Sequence, residues 1–364
     1  MKLEKLFEYS KYIESYRPSS SIDELATKLG LEKEKIVKLN ANENLFLENR
    51  FMKDILQKAL NRTDPRLYPQ SEEDLLKNKI AELNRIDPSQ VVICSGGDHA
   101  IELLFSLPNI SNAVTVVTPT FSIYPRVVLQ RSINLKEAHL NTDFSLNVNR
   151  TLRFASDSSL IVICNPNNPT GNQFPKEKLI QIIEGFEGLV LVDEAYQEYA
   201  NYSLNELVSS YENLVVLRTF SKAYGLAGLR LGYLITNETL AGIIRENFMM
   251  PYPVSNLVLN SGLEMLRNLT VVMNAIEKTK FTRDWLINKL NQINSVHAYS
   301  SNTNFVLFST KKSYTEVYEA LLQEGIIIRK QGRLLDVDNC LRVTVAPREI
   351  MVRFLKKLEE IMNE

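Results

Sequence analysis

Between Val91 and Ile235 the chain alternates short apolar runs with stretches of helical character. The runs are rich in Val, Ile and Leu with few polar residues, which is typical of strands buried on both faces. The stretches between them, such as Asp98–Leu107 and Lys176–Phe186, favour helices. This rhythm predicts an α/β domain with a mostly parallel sheet between helices. The apolar runs are Val91–Cys94, Ala113–Val117, Leu160–Cys164, Leu189–Val192, Leu214–Leu217 and Leu231–Ile235.

The pattern changes after Ser255, where a long helical stretch runs from about Asn256 to Asn291. Strand-like segments and a final helix from Arg348 follow. With 364 residues, the chain is too long for one small core. We therefore expect a large domain at residues 45–255 and a smaller α+β domain that combines residues 1–44 with 256–364. The strand-like segments of the smaller domain are Thr303–Phe308, Gly325–Arg329 and Cys340–Val345.

The charges of the chain are balanced, with 42 Lys and Arg against 43 Asp and Glu and a formal net charge of −1. This balance argues against nucleic acid or an anionic membrane as a partner, so a bound phosphate needs a local site. The first residues are amphipathic and charged, unlike a signal peptide. The 3 cysteines and 3 histidines have no metal-binding spacing. These features predict a cytoplasmic protein without a metal site.

Ligands of open α/β sheets bind beyond the carboxyl ends of the strands, and distinctive segments follow two of the predicted strands. Ser95–His99 (SGGDH) precedes a helix, where free backbone amides can bind phosphate. The alternative for this segment is an ordinary strand-to-helix turn capped by Asp98. Asn165–Gly171 (NPNNPTG) combines two prolines with three asparagines, and this density of turn formers indicates a loop of fixed shape.

Asp193 and Lys222 each follow a fully apolar strand. A carboxylate there is costly to bury without a cation or several donors, so Asp193 is either a helix cap or the partner of a cationic ring nitrogen. Lys222 lies among small residues and hydroxyl groups in Thr219–Arg230 (TFSKAYGLAGLR). Poor solvation lowers the pKa of a lysine and suits it to react with a carbonyl group, although an isolated lysine is more often a solvated surface residue.

A further candidate is Arg342, which shares one face of a predicted strand with Thr344. An arginine in a strand can be a surface residue, but its guanidinium is also the natural partner of a carboxylate or phosphate. Arg329 ends another predicted strand of the same domain and could converge with Arg342.

Three segments in combination, Asn165–Gly171, Asp193–Tyr196 (DEAY) and Thr219–Arg230, resemble the class I and II aminotransferases. These are pyridoxal-phosphate (PLP) enzymes of fold type I. Within them the chain is most similar to the histidinol-phosphate aminotransferase family, from Tyr16 to the C-terminus and with every motif in family order. The resemblance implies a mostly parallel seven-stranded sheet and a homodimer with shared active sites. It also implies transfer of an amino group from histidinol phosphate to 2-oxoglutarate in histidine biosynthesis.

The resemblance also implies the roles of individual residues. The catalytic residues would be Lys222, which binds the cofactor covalently, Asp193, which pairs with its ring nitrogen, and Tyr196. Phe121 would stack on the cofactor ring. Asn168 and Tyr196 would hydrogen-bond the ring oxygen. The cofactor phosphate would be bound by Gly97, Asp98, Thr219, Ser221, Arg230 and, from the neighbouring subunit, Tyr68. The substrate would be bound by Tyr16, Asn44, Arg329 and Arg342.

Some positions depart from the family pattern. Leu45-Phe46-Leu47 replaces the usual Pro and Gly, Gly96–His99 replaces Gly-Ala-Asp-Glu, and Phe121 replaces the usual Tyr. Two other PLP activities therefore stay open, a lyase like threonine-phosphate decarboxylase and an aromatic amino-acid aminotransferase. A non-catalytic PLP-binding regulator is disfavoured because no DNA-binding domain fits before Leu39. A dehydrogenase is disfavoured because no GxGxxG follows the first apolar run.

Overall fold

The computed structural model describes residues 11, 21–108, 110 and 112–364. The strands among these residues are β1 (Val37–Lys38), β2 (Val91–Cys94), β3 (Ala113–Thr118), β4 (Asn134–His139), β5 (Leu160–Cys164), β6 (Leu189–Asp193), β7 (Leu214–Thr219), β8 (Gly232–Thr236), β9 (Val296–Ala298), β10 (Phe305–Thr310), β11 (Ile326–Ile327), β12 (Arg329–Leu334) and β13 (Val337–Thr344). The α-helices are α1 (Ile22–Leu29), α2 (Asn49–Asn61), α3 (Glu72–Asn84), α4 (Gly96–Phe105), α5 (Ile123–Gln130), α6 (Val148–Phe154), α7 (Lys176–Glu184), α8 (Glu238–Ile243), α9 (Asn256–Arg267), α10 (Leu269–Leu290), α11 (Tyr314–Gln323) and α12 (Arg348–Asn363). Short 3₁₀ turns occupy Lys33–Lys35, Pro88–Gln90, Gln197–Tyr199, Asn205–Leu207 and Ala227–Leu229, and a π-helical turn occupies Ile244–Phe248.

The main sheet has seven strands within the described residues, in the order β2-β8-β7-β6-β5-β3-β4. Neighbouring strands from β7 to β4 pair in parallel, and β8 runs antiparallel to both β7 and β2. The predicted α/β fold with a mostly parallel seven-stranded sheet is therefore confirmed. In such a sheet the carboxyl ends of the parallel strands lie along one edge, where ligands bind.

Both faces of the main sheet are buried, which explains the continuous apolar runs. In β5, Ile161 and Ile163 pack into one core, whereas Leu160 and Val162 pack into a second core. Successive strand residues point to opposite faces, so a strand covered on both sides has no solvent-exposed position and is mostly apolar.

A second sheet, also counted over the described residues, has the antiparallel order β12-β13-β10-β9. The strand β1 pairs in parallel with β11, and the chain beyond β1 continues alongside β13, since Leu39 accepts a hydrogen bond from the Thr344 amide. These pairings tie the chain before residue 45 to the second sheet. Helix α9 contributes Leu259 and Leu263 to the same core as Val190 of the main sheet. The domain division at residues 45 and 255 stays a prediction.

Of the described helices, none combines the length and the apolar character that crossing a membrane requires.

Candidate active site

A cavity of about 320 Å³ lies between the main sheet and the second sheet. The main sheet contributes the carboxyl ends of neighbouring strands, with Asp193 at the end of β6 and Thr219 at the end of β7. The second sheet contributes Arg329, Gln331 and Arg342 from β12 and β13. The cavity therefore lies where the topology predicts a ligand site.

Most residues that the sequence analysis assigned to the site line this one cavity. They are Gly97, Asp98, Phe121, Asn168, Asp193, Tyr196, Thr219, Ser221, Lys222, Arg230, Arg329 and Arg342. Tyr68 lies on the surface, 74% exposed, and its ring stacks on Tyr252 with centroids 4.7 Å apart. Tyr16 lies outside the described residues. The roles of all these residues stay predictions.

Asn44, predicted to contact the substrate, does not line the cavity. Its Nδ2 donates to the carbonyl oxygen of Ala223 at 2.7 Å, and its Oδ1 accepts from the amide of Phe46 at 3.0 Å. The Nδ2 end thus holds the N-terminal loop against the segment after Lys222, and the Oδ1 end stabilises a turn within the loop. The residues of this loop that line the cavity are Asn40, Ala41 and Asn42.

Lys222 is half-buried and lines the cavity. Its Nζ donates to the carbonyl oxygen of Ala41 at 3.1 Å and lies 5.8 Å from the centroid of the Tyr196 ring. Burial first, and then the positive charge of Arg342, lower the pKa of Lys222 to about 8. A lysine with this pKa has a substantial neutral fraction near neutral pH, and the neutral amine is the nucleophilic and basic form.

Asp193 supplies a buried carboxylate to the opposite wall. Its Oδ2 accepts from the hydroxyl of Tyr124 at 2.5 Å and its Oδ1 from the amide of Ala195 at 2.9 Å. Burial raises the pKa of Asp193, and the Tyr124 hydrogen bond opposes that rise. No Lys or Arg of the described residues forms a salt bridge with Asp193. A cationic group of a ligand in the cavity would supply the missing partner.

A third part of the cavity has the donors of a phosphate site. Gly97 and Asp98 belong to the first turn of α4, whose amides have no intrahelical acceptor. Arg230 lies beside them, with Nη2 2.8 Å from Asp98 Oδ2 and Nη1 3.4 Å from Ser221 Oγ. The hydroxyl of Thr219 accepts from the Ser221 amide at 3.1 Å. Amides, hydroxyls and one guanidinium group thus lie together in this part of the lining.

Gly96 permits the close approach of Arg230 to the start of α4. Its φ of +80° lies in the left-handed region, and a Cβ at this position would lie 2.8 Å from Arg230 Nη2. Replacing Gly96 by alanine should displace the guanidinium and strain the turn, so we expect cofactor affinity to fall at least about tenfold. Equilibrium dialysis of PLP measures this affinity.

Gly242→Ala is the matched control for Gly96→Ala, because no heavy atom lies within 4 Å of the added Cβ and the backbone is helical. Its cofactor affinity should equal that of the wild type. Equal affinity in both variants would contradict a role for Gly96 in the phosphate site.

The second sheet brings two arginines to the end of the cavity. Arg342 is buried, and its guanidinium donates to Asn168 Oδ1 and to the carbonyl oxygen of Asn40, the latter at 2.9 Å. Arg329 is directly opposite Arg342 in the β12–β13 register. Two like charges on paired residues repel each other, so the arrangement favours an anionic ligand between them.

The sequence analysis assigned no role to the cavity residues Asn42 and Gln331, or to Tyr124, which donates to the cavity residue Asp193. Tyr124 comes three residues after Phe121, one helical turn later, and its ring meets Phe121 edge-on at 6.0 Å. Its contact with Asp193 depends on how α5 crosses the sheet, which no local pattern reveals. Gln331 could have been predicted from the sequence, because it lies two residues after Arg329 and residues two apart in a strand share a face.

The donor set of the cavity fits PLP. Lys222 provides an amine of lowered pKa for the aldehyde, and Asp193 provides a buried anion for the ring nitrogen. The start of α4 with Thr219, Ser221 and Arg230 provides the phosphate donors.

Comparison with known proteins agrees with this chemistry. The profile of the family "Aminotransferase class I and II" matches residues 34–358. A histidinol-phosphate aminotransferase of Christiangramia forsetii is 32% identical over 352 residues, which cover 95% of this chain and 94% of the relative.

Solved structures also resemble the chain. The histidinol-phosphate aminotransferase of Sinorhizobium meliloti, in complex with pyridoxal-5'-phosphate, superposes with a TM-score of 0.85 at 22% identity and covers 95% of both chains. The L-threonine-O-3-phosphate decarboxylase of Porphyromonas gingivalis superposes with a TM-score of 0.78 at 21% identity, covering 90% of this chain and 100% of that one. At these identities the two structures support the fold, which enzymes of both reactions share.

Proposed function

The chain belongs to the class I and II aminotransferases, which are PLP-dependent enzymes, and we propose that it transfers the amino group of histidinol phosphate to 2-oxoglutarate in histidine biosynthesis. The observation that carries the choice of substrate is the pair Arg329 and Arg342 at one end of the cavity. A doubly charged phosphate group of the donor suits two guanidinium groups, and a carboxylate of the acceptor suits the same fork. Relatives that are 31–33% identical to this chain are histidinol-phosphate aminotransferases.

The cofactor site of the proposal follows from the lining of the cavity. Lys222 would hold PLP covalently, Asp193 its ring nitrogen, and Asn168 and Tyr196 its ring oxygen. Asn168 Oδ1 already accepts from Arg342, so its Nδ2 is the group left to donate to that oxygen. Phe121 would stack on the ring, and the phosphate would bind Gly97, Asp98, Thr219, Ser221 and Arg230.

When bound, PLP supplies an electron-accepting ring that stabilises negative charge at Cα of the amino substrate. Asp193, as an anion, favours the protonated ring nitrogen and so strengthens that acceptor. Lys222 Nζ would take the proton from Cα as a general base and return it as a general acid. A pKa of about 8 suits this lysine to both tasks near neutral pH. Arg342 and Arg329 hold the anionic end of the substrate and so fix Cα beside Lys222.

We also propose a homodimer that acts in the cytoplasm. Tyr68 and Tyr252 stack on each other at the surface, and Leu67 and Met250 beside them in the chain are 52% and 75% exposed. Large exposed apolar side chains in one place favour a protein interface. Through that interface Tyr68 would reach the phosphate of the neighbouring subunit. The 3 cysteines are all unpaired and buried, which suits a reducing compartment.

A half-reaction screen tests the substrate. PLP-loaded protein is mixed in turn with histidinol phosphate, tyrosine, phenylalanine and O-phosphothreonine, and the loss of cofactor absorbance is followed. Histidinol phosphate should convert the cofactor fastest, because its phosphate can bind the two arginines while its primary amine reacts. Tyrosine and phenylalanine have no phosphate, and O-phosphothreonine carries a carboxylate on the same carbon as its amine. Release of carbon dioxide from O-phosphothreonine would instead support the decarboxylase reaction, and a preference for tyrosine or phenylalanine would support an aromatic aminotransferase.

Arg342→Ala should raise KM for histidinol phosphate by about two orders of magnitude, since losing one partner of a buried charge pair costs about 2–5 kcal/mol. Arg342→Lys should lie between this variant and the wild type, because lysine keeps the charge but cannot form the guanidinium fork. Steady-state kinetics and PLP dialysis measure the two affinities separately.

The control for Arg342 is Arg333→Ala, which removes an exposed arginine of β12 that pairs with Asp338 at 3.6 Å. KM should be unchanged in that variant. If Arg342→Ala weakened PLP more than the substrate, Arg342 would belong to the cofactor site.

A further inference from the structure

The hydroxyl group of Tyr196 has a single hydrogen-bond partner among the described residues, the side-chain amide of Asn42. Asn42 Nδ2 donates to Tyr196 Oη at 2.9 Å. Both residues line the cavity, and they are 2% and 3% exposed. An amide N–H can only donate, so Tyr196 is the acceptor in this bond and keeps its own proton for a second partner.

The orientation of the Asn42 amide is determined by Thr344. The Asn42 backbone amide donates to Thr344 Oγ1 at 3.0 Å, which leaves the threonine proton free for Asn42 Oδ1, 3.4 Å away. Thr344 thus engages the oxygen end of the amide, and the nitrogen end faces Tyr196. The carbonyl oxygen of Asn42 accepts from Asn304 Nδ2 at 2.9 Å. Contacts on the backbone and on both ends of the side chain fix Asn42 in one conformation.

We propose that Asn42 is a positioning residue that turns the hydroxyl proton of Tyr196 toward the ring oxygen of the cofactor. The proposal rests on the proposed binding of PLP at Lys222. No described residue accepts the proton of Tyr196, and Tyr196 lines the cavity together with Lys222. Asn42 would thereby keep Tyr196 a donor toward the cofactor, even though it never contacts the reacting atoms.

The protonation state of Tyr196 agrees with this role. Burial raises the pKa of Tyr196 above its ordinary value, while the charge of Arg342 and the Asn42 hydrogen bond oppose the rise. The hydroxyl therefore stays protonated at neutral pH and can donate. The other titratable groups that interact with Tyr196 are Cys164, Asp193, Tyr199 and Lys222.

A donor at the ring oxygen has a measurable effect on the bound cofactor. Negative charge on the ring oxygen stabilises a proton on the nearby nitrogen that joins the ring to Lys222. A hydrogen-bond donor at that oxygen withdraws some of this negative charge. The Tyr196 donor therefore lowers the pKa of that nitrogen, and its loss should raise the pKa. The pKa is read from the visible absorbance of the resting holoenzyme as a function of pH, without any turnover.

Asn42→Asp reverses the polarity of the contact at nearly constant shape. The φ of Asn42 is +56°, a left-handed value that asparagine and aspartate both tolerate. An aspartate at this position accepts the Tyr196 proton, so that the hydroxyl no longer donates to the cofactor. We expect the pKa of the Lys222–cofactor nitrogen to rise by roughly one unit or more. Tyr196→Phe should raise the pKa in the same direction.

The double variant separates the hydrogen bond from the added charge. In the Tyr196→Phe background, Asn42→Asp acts only through the new negative charge, so its shift should be less than about half of that in the wild-type background. Equal shifts in the two backgrounds would refute the positioning role, because the effect would then be independent of the tyrosine hydroxyl.

Two further measurements keep the outcome unambiguous. If Asn42→Asp does not fold, as judged by thermal unfolding, Asn42→Gly removes the amide at a backbone position that glycine readily adopts. The pKa should again rise, by a smaller amount, and only when Tyr196 is present; a Tyr196-independent shift or none would refute the role. Wild-type protein without visible absorbance, or without a borohydride-stable label on Lys222, would instead refute the proposed function itself.

Discussion

Lys222→Ala should lower kcat by about four orders of magnitude or more, because it removes the general base and acid. The variant should also lose the visible absorbance of the covalently bound cofactor and the borohydride-stable label at this position. Among the described residues that line the cavity, Lys222 is the one lysine, so no second amine is in place to take over its role. Transamination of histidinol phosphate, followed spectrophotometrically, measures the loss.

Small primary amines distinguish a missing base from a damaged fold. The space that the Lys222 side chain leaves admits an amine such as methylamine, which should restore part of the rate in proportion to its neutral form. Lys280→Ala serves as the control, since Lys280 pairs with Glu277 on α10 and does not line the cavity. Wild-type rates in Lys222→Ala would end the assignment of this residue.

Local sequence patterns predicted most of the main sheet because its strands are buried on both faces. The runs Val91–Cys94 and Leu160–Cys164 are also the observed bounds of β2 and β5. The edge strand β4 escaped prediction because only Ala138 of its six residues is buried, so it has no apolar run. An edge strand is defined by its pairing with β3, which is a long-range property.

The second sheet shows where local patterns fail. Residues 325–329 were predicted as one strand, but the chain changes partner within it: Ile326–Ile327 pairs with β1, and Arg329 begins the pairing with β13. The predicted helix over residues 256–291 is likewise divided at Asn268, which leaves the helical backbone with φ −113° and ψ 31°. In both places the pattern gave the correct element type, and tertiary contacts determined its division.

The part of the candidate site that could be predicted consists of residues at or just after the carboxyl ends of strands. Asp193, Thr219 and Lys222 come at or just beyond the ends of β6 and β7, so adjacency in the sheet brings them together. The contacts of Asn42 and Tyr124 could not be predicted, because they join positions far apart in the chain: 154 residues for Asn42 with Tyr196 and 69 for Tyr124 with Asp193. Hydrogen bonds of that range leave no periodic signal in the sequence.

Asp193→Asn should lower kcat by about two to three orders of magnitude while PLP stays bound at Lys222, since losing one preorganised electrostatic group costs about that much. Asparagine keeps the size of the side chain and an oxygen for the Ala195 amide, but it has no charge with which to hold a proton on the ring nitrogen. Asp193→Ala should lose a similar rate and more cofactor, because the buried Tyr124 hydroxyl is then left without its acceptor. Single-turnover rates of the amino-donor half-reaction measure the chemical step, and PLP dialysis measures binding.

The role of Asp193 is decided by comparing the loss of half-reaction rate with the loss of PLP binding. Asp157→Asn removes an exposed carboxylate that pairs with Lys136 and should change neither quantity. If Asp193→Asn kept the wild-type half-reaction rate, the buried charge would be irrelevant to the chemistry, and Asp193 would be a structural acceptor for Tyr124 and Ala195. If binding alone fell, the carboxylate would hold the ring without activating it. A large fall in rate with little loss of cofactor is the result that a buried anion opposite a cationic nitrogen requires.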